Sequence, residues 1–297
     1  MKNYIPRLTL WALSVAITFP FAAQTTWNVG ETILNEYNLV SGVNIPWELT
    51  WGPDDMLWCT TREGDVLRID PASGAYETVL SLNVNDSGVE PGLLGMALHP
   101  DFTNQPLVYL AYTAQDFQNG NHERLSVFYW NGSNLGNEQI LHIVGAAGIH
   151  NGSRLLILPD NTLLMSTGDL GDGGVSSQSD NNDNGKILRF NLDGSVPADN
   201  PDPTSFIYTK GHRNSQGMCV GPNGIIYSSE HGQYNFDEFN IIEAGRNYGW
   251  PNVEGLCDGI CDWCNSGAEQ SFCLANNIVE PLKTWSPCAA VNDLIYY

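Results

Sequence analysis

Two short polar runs hold the side chains best suited to chemistry. The first, His150-Asn151-Gly152, follows the flexible residues 145–149 and comes just before the apolar residues 155–158. An imidazole in such a loop can accept a proton near neutral pH. A histidine that only bonds a nearby carbonyl is the structural alternative, and this run alone does not decide between the two.

The second run begins with Gly211-His212-Arg213-Asn214 and ends with Gln216-Gly217. A guanidinium offers a planar fork of donors that suits carboxylates or quinone oxygens. Structural loops seldom concentrate a cation, two amides and a histidine before an apolar strand. The run therefore favours a functional role over a structural one.

A third run, Glu230-His231-Gly232-Gln233, continues toward Glu238 and Tyr248. Carbonyl groups freed at glycine turns, together with a carboxylate, are the oxygen ligands that Ca²⁺ prefers. The alternative is ordinary turn chemistry with solvated acids.

The charge and the N-terminal residues limit the partners and the location. The 297-residue chain has 12 Lys+Arg against 33 Asp+Glu, a formal net charge of −21, so its surface repels nucleic acids and anionic membranes. Residues 1–23 have the cationic start, apolar run and small-residue end of a secretory signal peptide. A periplasmic or secreted protein is expected, with a membrane anchor or a buried helix as the alternative. No later apolar run is long enough to span a bilayer.

The seven cysteines are unevenly placed. Cys59 and Cys219 stand alone in apolar, strand-like runs, which predicts buried thiols. The other five lie in residues 257–288, where export favours disulfides. Zinc is the alternative, because Cys261 and Cys264 have ligand spacing. An odd number in this cluster leaves one cysteine without a partner.

A repeated phrase predicts the fold. Helical periodicity is nearly absent after residue 23, and short apolar runs alternate with turn residues. The phrase consists of apolar residues, a proline beside Asp or Asn, a turn and an apolar strand. It recurs around Pro53, Pro100, Pro159 and Pro222, and successive prolines are 47, 59 and 63 residues apart. This period is typical of the four-stranded blades of a β-propeller. A β-sandwich is the alternative, but its strands would not carry a repeat this long.

The last residues, Leu294-Ile295-Tyr296-Tyr297, form an apolar run with no turn after it. A closed propeller joins its last blade to its first and so protects its strand edges. We therefore expect residues 24–297 to be a β-propeller domain that lacks its final blades.

These motifs resemble the glucose/sorbosone dehydrogenase family, whose soluble glucose dehydrogenases and aldose sugar dehydrogenases use pyrroloquinoline quinone (PQQ). The resemblance covers most of residues 46–251 and includes residues 92–102. Its most specific parts are residues 211–217, 237–240 and 247–251. Several motifs in the same order make the match far more specific than any one of them.

The resemblance implies an all-β, six-bladed propeller with PQQ in its channel, which oxidises the C1 hydroxyl of an aldose to the lactone. His150 would be the general base that takes the hydroxyl proton while hydride passes to the quinone. Asp169 would support this histidine or the substrate. The resemblance implies an external electron acceptor as a partner. It leaves open whether the protein forms a homodimer.

The resemblance also implies the cofactor contacts. Arg213, Asn214 and Gln216 match residues that hold or polarise the quinone; all three would bind the cofactor, and Arg213 would also be catalytic. Glu90 stands at a cofactor-site position where the glucose enzymes carry a glutamine, and Ile149 replaces an aspartate. These two differences leave the sugar unidentified.

Calcium is the second implied cofactor. Gly232 and Gln233 match the pair whose carbonyls bind Ca²⁺ beside PQQ, with Gln233 in place of a proline. Glu238 and Tyr248 match ligands of a second, structural Ca²⁺. Further basic PQQ contacts in the family come from blades that would follow Tyr297.

Two other functions fit parts of the pattern. Hedgehog-interacting proteins of animals use the same fold as non-catalytic, carbohydrate- or protein-binding modules. Loss of the downstream basic residues would favour that interpretation, whereas His150 and Arg213 favour the enzyme. A Ca²⁺-dependent lactonase would need a Glu/Asn/Asp metal cluster in the channel, and the sequence shows no such arrangement.

Overall fold

The computed structural model describes residues 25–261, 264 and 266–297. The predicted signal peptide, residues 1–23, lies outside the described residues. Residues 25–41 contain an antiparallel hairpin of β1 (Thr25–Val29) and β2 (Thr32–Glu36), which forms a small unit by itself. Within the described ranges, no helix is long and apolar enough to cross a membrane.

The main unit, residues 42–297, contains four antiparallel sheets, each built from four strands that are consecutive in the chain. The first two sheets contain β3 (Pro46–Trp51), β4 (Leu57–Thr61), β5 (Asp65–Ile69) and β6 (Tyr76–Ser81), then β7 (Leu93–Leu98), β8 (Leu107–Asp116), β9 (Gly120–Trp130) and β10 (Leu135–Gly145). The last two contain β11 (Gly152–Ile157), β12 (Thr162–Thr167), β13 (Lys186–Asn191) and β14 (Ile207–Lys210), then β15 (Ser215–Val220), β16 (Ile226–Glu230), β17 (Asp237–Ile242) and β18 (Lys283–Trp285).

Each sheet is one blade of a propeller. The first strands of successive sheets contact each other, β3 with β7, β7 with β11 and β11 with β15, as inner strands around a common axis do. The predicted all-β propeller is thus confirmed, with four blades in the described residues. The number of six blades stays a prediction.

The repeated proline marks the same turn in every blade, between the first and second strands. In three blades the residue before the proline donates its N–H to the carbonyl four positions later, at 2.7 or 2.8 Å. The donors are Gly52, Leu158 and Gly221. The repeat in the sequence is therefore a repeat in the structure.

Apolar side chains fill the spaces between neighbouring blades. Trp58 and Leu93 join the first blade to the second, and Met218 belongs to the cluster between the third and fourth. On β12, Leu163 packs toward the second blade and Leu164 toward the fourth, because successive side chains of a strand point to opposite faces. Each such buried leucine contributes roughly 2 kcal/mol.

Antiparallel pairing decides which loops meet. The start of the first strand pairs with the end of the second strand in each blade, as in Gly152 with Thr167 and Ser215 with Glu230. Residues just before a first strand and just after a second strand therefore lie at the same end of a blade. Both polar runs of the sequence, and the run that follows Glu230, fall in such loops.

Helices are few in the described residues, in line with the near absence of helical periodicity in the sequence. One turn of helix, α1, spans Val175–Gln178, and α2 spans Ser266–Asn276. The disulfide Cys257–Cys273 holds α2 to the loop before it, and Cys261–Cys264 closes a short turn within that loop. One covalent link thus anchors this helix, so it needs no apolar face that a periodicity search would find.

The cysteines follow the disulfide prediction rather than the zinc alternative. Cys288 is the unpaired member of the cluster, and Cys59 is a buried thiol as expected. Cys219 is only half-buried, which corrects the prediction. The reason is that Cys219 lines a wide cleft of about 670 Å³ at the other end of the inner strands.

Glu123 on β9 is a fully buried acid, and its two carboxylate oxygens have no hydrogen-bond partner among the residues that the structure describes. Burial raises the pKa of Glu123 to about 8, and the hydroxyl of Ser153 offsets only part of this rise. An acid with a raised folded-state pKa stabilises the fold most below its unfolded pKa, here 4.5. That contribution is lost as the pH rises through the folded value.

We expect Glu123→Gln to stabilise the protein increasingly as the pH rises from 5 to 8, because the amide carries no charge to bury. Thermal unfolding at each pH measures the effect, with a gain on the order of 3 °C at pH 8. The exposed Glu77→Gln is the control and should show no such trend. A gain that is the same at every pH would contradict this account.

Candidate active site

The loops at the shared end of the second, third and fourth blades bring most of the predicted residues together. His150 comes two residues before β11, and Asp169 comes two residues after β12. Arg213 and Asn214 come directly before β15, and Glu90 comes shortly before β7. Strand pairing alone therefore gathers side chains that are far apart in sequence.

His150 and Asp169 form a hydrogen-bonded pair. The Nδ1 atom of His150 lies 2.6 Å from Oδ1 of Asp169. Asp169 is 1% exposed; burial raises its pKa, but its hydrogen bonds outweigh that effect and hold the pKa below the usual value. An ionised Asp169 fixes the proton on Nδ1, so the lone pair of the neutral ring lies on Nε2.

The backbone holds this pair in place. His150 has a φ of +54°, a conformation that a non-glycine residue adopts only where the surroundings impose it. Gly168 lies directly against this residue, since a Cβ at that position would lie 2.0 Å from the carbonyl oxygen of His150. The two loops approach too closely for any side chain at Gly168.

Glu90 and Asn214 connect the second and fourth blades to His150. The Glu90 Oε2 atom accepts the backbone N–H of His150 at 2.7 Å and the Asn214 Nδ2 atom at 3.3 Å. Asn214 in turn accepts the N–H of Gly152 through Oδ1 at 3.1 Å. One carboxylate and one amide thus tie loops of three blades together.

The Arg213 guanidinium is held by neutral groups. Its Nη2 and Nε atoms donate to Oε1 of Gln233 at 2.9 and 3.2 Å, and Nη1 donates to the carbonyl of His231 at 3.2 Å. Within the described part of the chain it forms no ion pair with a carboxylate. In an acidic protein, a fixed and largely buried cation of this kind can stabilise negative charge on a ligand.

Glu230 holds residues 212–214, the loop that contains Arg213, through hydrogen bonds. Its Oε1 atom accepts the backbone N–H groups of Arg213 and Asn214, and its Oε2 atom lies 2.8 Å from Nδ1 of His212. The buried ring of His212 also contacts the hydroxyl of Thr209 at 2.8 Å. A single buried carboxylate therefore sets the path of the main chain through this loop.

Gln216 lies apart from these hydrogen bonds. It lines a cavity of about 200 Å³ together with Glu90, Asn151, Gly152 and Trp47. Its carbonyl accepts a hydrogen bond from a buried arginine side chain at 2.7 Å. This cavity lies beside His150 along the inner strands.

The predicted metal residues Gly232, Glu238 and Tyr248 border a second, enclosed cavity of about 10 Å³. Glu230 and Glu254 also line it. Burial, with the nearby charge of Glu230, raises the pKa of Glu238 to about 8. Clustered carboxylates of this kind are suited to a hard cation, which would offset their charges.

Two details limit how the metal residues could act. The Tyr248 hydroxyl donates to the carbonyl of Ile241 at 2.6 Å and accepts the N–H of Glu243 at 2.9 Å, which leaves its main-chain carbonyl as the available ligand. Gln233 is not among the residues that line the enclosed cavity. Its side chain instead holds Arg213.

Sequence reasoning did not assign roles to Glu230 and Trp250. Trp250 Nε1 donates to Oδ2 of Asp169 at 2.8 Å. Glu230 directly precedes the predicted metal run, and Trp250 lies in the specific stretch 247–251. Both were visible as motif members, but their partners are remote in sequence, so only the structure reveals what they contact.

Comparison with known proteins identifies the relatives of this chain. Residues 43–297 match the family model described as Glucose / Sorbosone dehydrogenase. The chain is 38% identical over 254 residues to quinoprotein glucose dehydrogenase B of Acinetobacter calcoaceticus, with 74% of this chain and 53% of that protein covered. It is 30% identical over 225 residues to aldose sugar dehydrogenase YliI of Escherichia coli strain K12, with 69% and 58% covered.

The chain therefore spans little more than half the length of these two relatives. Among solved structures, the PQQ-bound form of aldose sugar dehydrogenase from Streptomyces coelicolor superposes with a TM-score of 0.71 at 33% identity. The match covers 84% of this chain and 70% of that structure. It agrees with the propeller described above.

We expect Glu230→Ala to destabilise the protein by about 3 kcal/mol, because it removes the acceptor of two buried N–H groups and a buried imidazole. Urea unfolding measures the loss. Glu243→Ala is the matched control: Glu243 is an exposed acid at the other end of the same blade that pairs with Arg246 at 3.0 Å, and its removal should cost less than about 1 kcal/mol. Equal losses in both variants would refute the supporting role of Glu230.

Proposed function

Because this chain belongs to the glucose/sorbosone dehydrogenase family, we propose that it is an exported, PQQ- and Ca²⁺-dependent oxidoreductase. It oxidises the C1 hydroxyl of an aldose sugar to the lactone. The observation that carries the proposal is the His150–Asp169 pair, hydrogen-bonded at 2.6 Å beside the Arg213 loop. Quinoprotein glucose dehydrogenase B and the PQQ-bound aldose sugar dehydrogenase are its relatives.

His150 acts as the general base. With Nδ1 occupied by Asp169, Nε2 is free to accept the proton of the C1 hydroxyl, and the ionised Asp169 stabilises the imidazolium that forms. The backbone N–H of His150 is bound by Glu90 at 2.7 Å, so the ring is positioned before a sugar arrives. Such preorganisation lowers the reorganisation needed at the transition state.

The residues present fit the two cofactors. Arg213 offers a fixed guanidinium without an ion-pair partner among the described residues, which suits the oxygens and carboxylates of PQQ. Asn214 and Glu90 are hydrogen-bonded to each other beside it, and Gln216 lines the neighbouring cavity with Glu90. PQQ, when bound, supplies the two-electron acceptor for the hydride that leaves C1. Arg213 favours the negative charge that this transfer produces.

The oxygen atoms that these loops offer support the binding of Ca²⁺. Carbonyls of Gly232 and Gln233 would hold the ion near the quinone, and the Glu238 carboxylate with the Tyr248 carbonyl would hold a structural ion. The enclosed cavity gathers Gly232, Glu238 and Tyr248 with Glu230, all groups with the hard oxygen atoms that Ca²⁺ prefers. The cation would offset the charge that raises the pKa of Glu238.

Export accounts for the disulfides. Cys257–Cys273 and Cys261–Cys264 are bonds that form and persist outside the cytosol. The predicted signal peptide at residues 1–23 supplies the route. A periplasmic or secreted location follows from both.

We expect His150→Ala to lower kcat by about 10²–10⁴-fold while PQQ binding is retained, because only the proton acceptor is removed. Dye reduction is measured on a panel of aldoses after reconstitution with Ca²⁺ and PQQ. His142→Ala is the matched control, since His142 on β10 pairs with Asp183 at 2.9 Å in the same way, and its activity should stay near wild type. Unchanged turnover in His150→Ala would rule out this base. Wild-type protein that binds PQQ but turns over no sugar would instead indicate a binding module.

We expect Glu238→Gln to remove more than half of the Ca²⁺-induced rise in Tm. A cation at 100 times its Kd stabilises a protein by about 2.7 kcal/mol, and loss of a buried carboxylate ligand weakens that binding. The rise is measured with and without Ca²⁺, in the absence of PQQ. The exposed Glu243→Gln should keep the full rise. If Glu238→Gln keeps it as well, Glu238 is not a ligand.

A further inference from the structure

Trp250 lies where three loops meet. Its indole Nε1 donates to Oδ2 of Asp169 at 2.8 Å, its backbone N–H donates to the carbonyl of Gly211 at 3.0 Å, and its own carbonyl accepts Nε2 of Gln178 at 2.6 Å. The side chain is 6% exposed. Trp250 is therefore fixed by the third blade and by the entry to the fourth.

The hydrogen bond from the Trp250 indole satisfies the second carboxylate oxygen of Asp169. Oδ1 accepts two hydrogen bonds, from Nδ1 of His150 at 2.6 Å and from the N–H of Gly171 at 2.9 Å. Oδ2 accepts one, from Trp250, among the residues that the structure describes. The carboxylate torsion of an aspartate is soft, so without the indole the group can rotate and move Oδ1 away from the imidazole.

The same indole ring contacts the other half of the site. The Arg213 guanidinium lies 5.5 Å from the ring centroid of Trp250, within the range of a cation–π interaction. The carbonyl of Arg213 also accepts the N–H of Asp169 at 2.8 Å. Trp250 thus touches both the carboxylate that orients the base and the cation that faces the ligand.

We propose that Trp250 is a positioning residue, which orients the Asp169 carboxylate toward His150 and keeps it in register with Arg213. The inference rests on the proposed function, in which His150 is the base. Trp250 touches no reacting atom and acts through Asp169. Loss of the indole N–H should therefore lower kcat more than it changes KM.

The ionisation of Asp169 reports this role directly. Its hydrogen bond from Trp250 is one of those that lower its pKa against the effect of burial. The titratable and charged residues in hydrogen-bond contact with it in the described part of the chain are His150 from the entry to β11, Arg213 from the entry to β15, and Asp172 on its own loop. Removing only the indole donor should raise the pKa of Asp169, because the anion loses a stabilising bond.

The test is Trp250→Phe, which keeps an aromatic ring under Arg213 but removes the donor. ¹³C NMR of the protein without PQQ or sugar should show the Asp169 titration at higher pH. In the reconstituted enzyme, kcat should fall about tenfold with KM within about twofold of wild type. Trp58→Phe is the matched control, because Trp58 donates to Oδ1 of Asp54 at 3.1 Å in the buried core of the first blade. It should change neither quantity.

A wild-type measurement covers the case in which Trp250→Phe does not fold. The indole ¹H–¹⁵N signal of Trp250 should shift with the same midpoint as the Asp169 carboxyl. Independent midpoints, an unmoved Asp169 titration in Trp250→Phe, or equal changes in Trp58→Phe would each overturn the proposal. Absence of turnover on every sugar, with the coupled titration intact, would disprove the proposed function and leave the positioning role standing.

Discussion

The site depends on buried carboxyl groups that must be satisfied by hydrogen-bond donors. Asp169 and Glu230 are both almost fully buried, and a buried polar group without a partner is too costly to keep. Their donors come from different loops: His150 and Trp250 for Asp169, and residues 212–214 for Glu230. Satisfying these two side chains brings the loops of the third and fourth blades into one arrangement.

This constraint links folding to chemistry. Apolar packing between the sheets holds the blades together and fixes the positions of the strand ends. It does not by itself determine the conformation of the loops. Buried carboxylates then select one conformation, since only that conformation supplies every donor. The strained φ of His150 and the close approach at Gly168 are local costs that this network offsets.

Much of this could be predicted from the sequence. The proline phrase located all four first turns, because a turn needs only local residues. The loops of His150 and Arg213 were recognisable because polar side chains concentrate between glycines. Trp250 and Glu230 could not receive roles in this way, since each acts through a partner that strand pairing brings near. The helix α2 was not predicted, because a disulfide rather than an apolar face anchors it.

The long connection between β17 and β18 contains the disulfides, and they affect more than the helix α2. Residues 243–282 leave the fourth blade and return to it, and they include both Trp250 and the two disulfides. Closing so long a loop costs conformational entropy, which a crosslink reduces by restricting the unfolded chain. The two disulfides therefore also restrict the segment that bears Trp250. Covalent crosslinks and a residue that contacts Asp169 lie in one stretch of backbone.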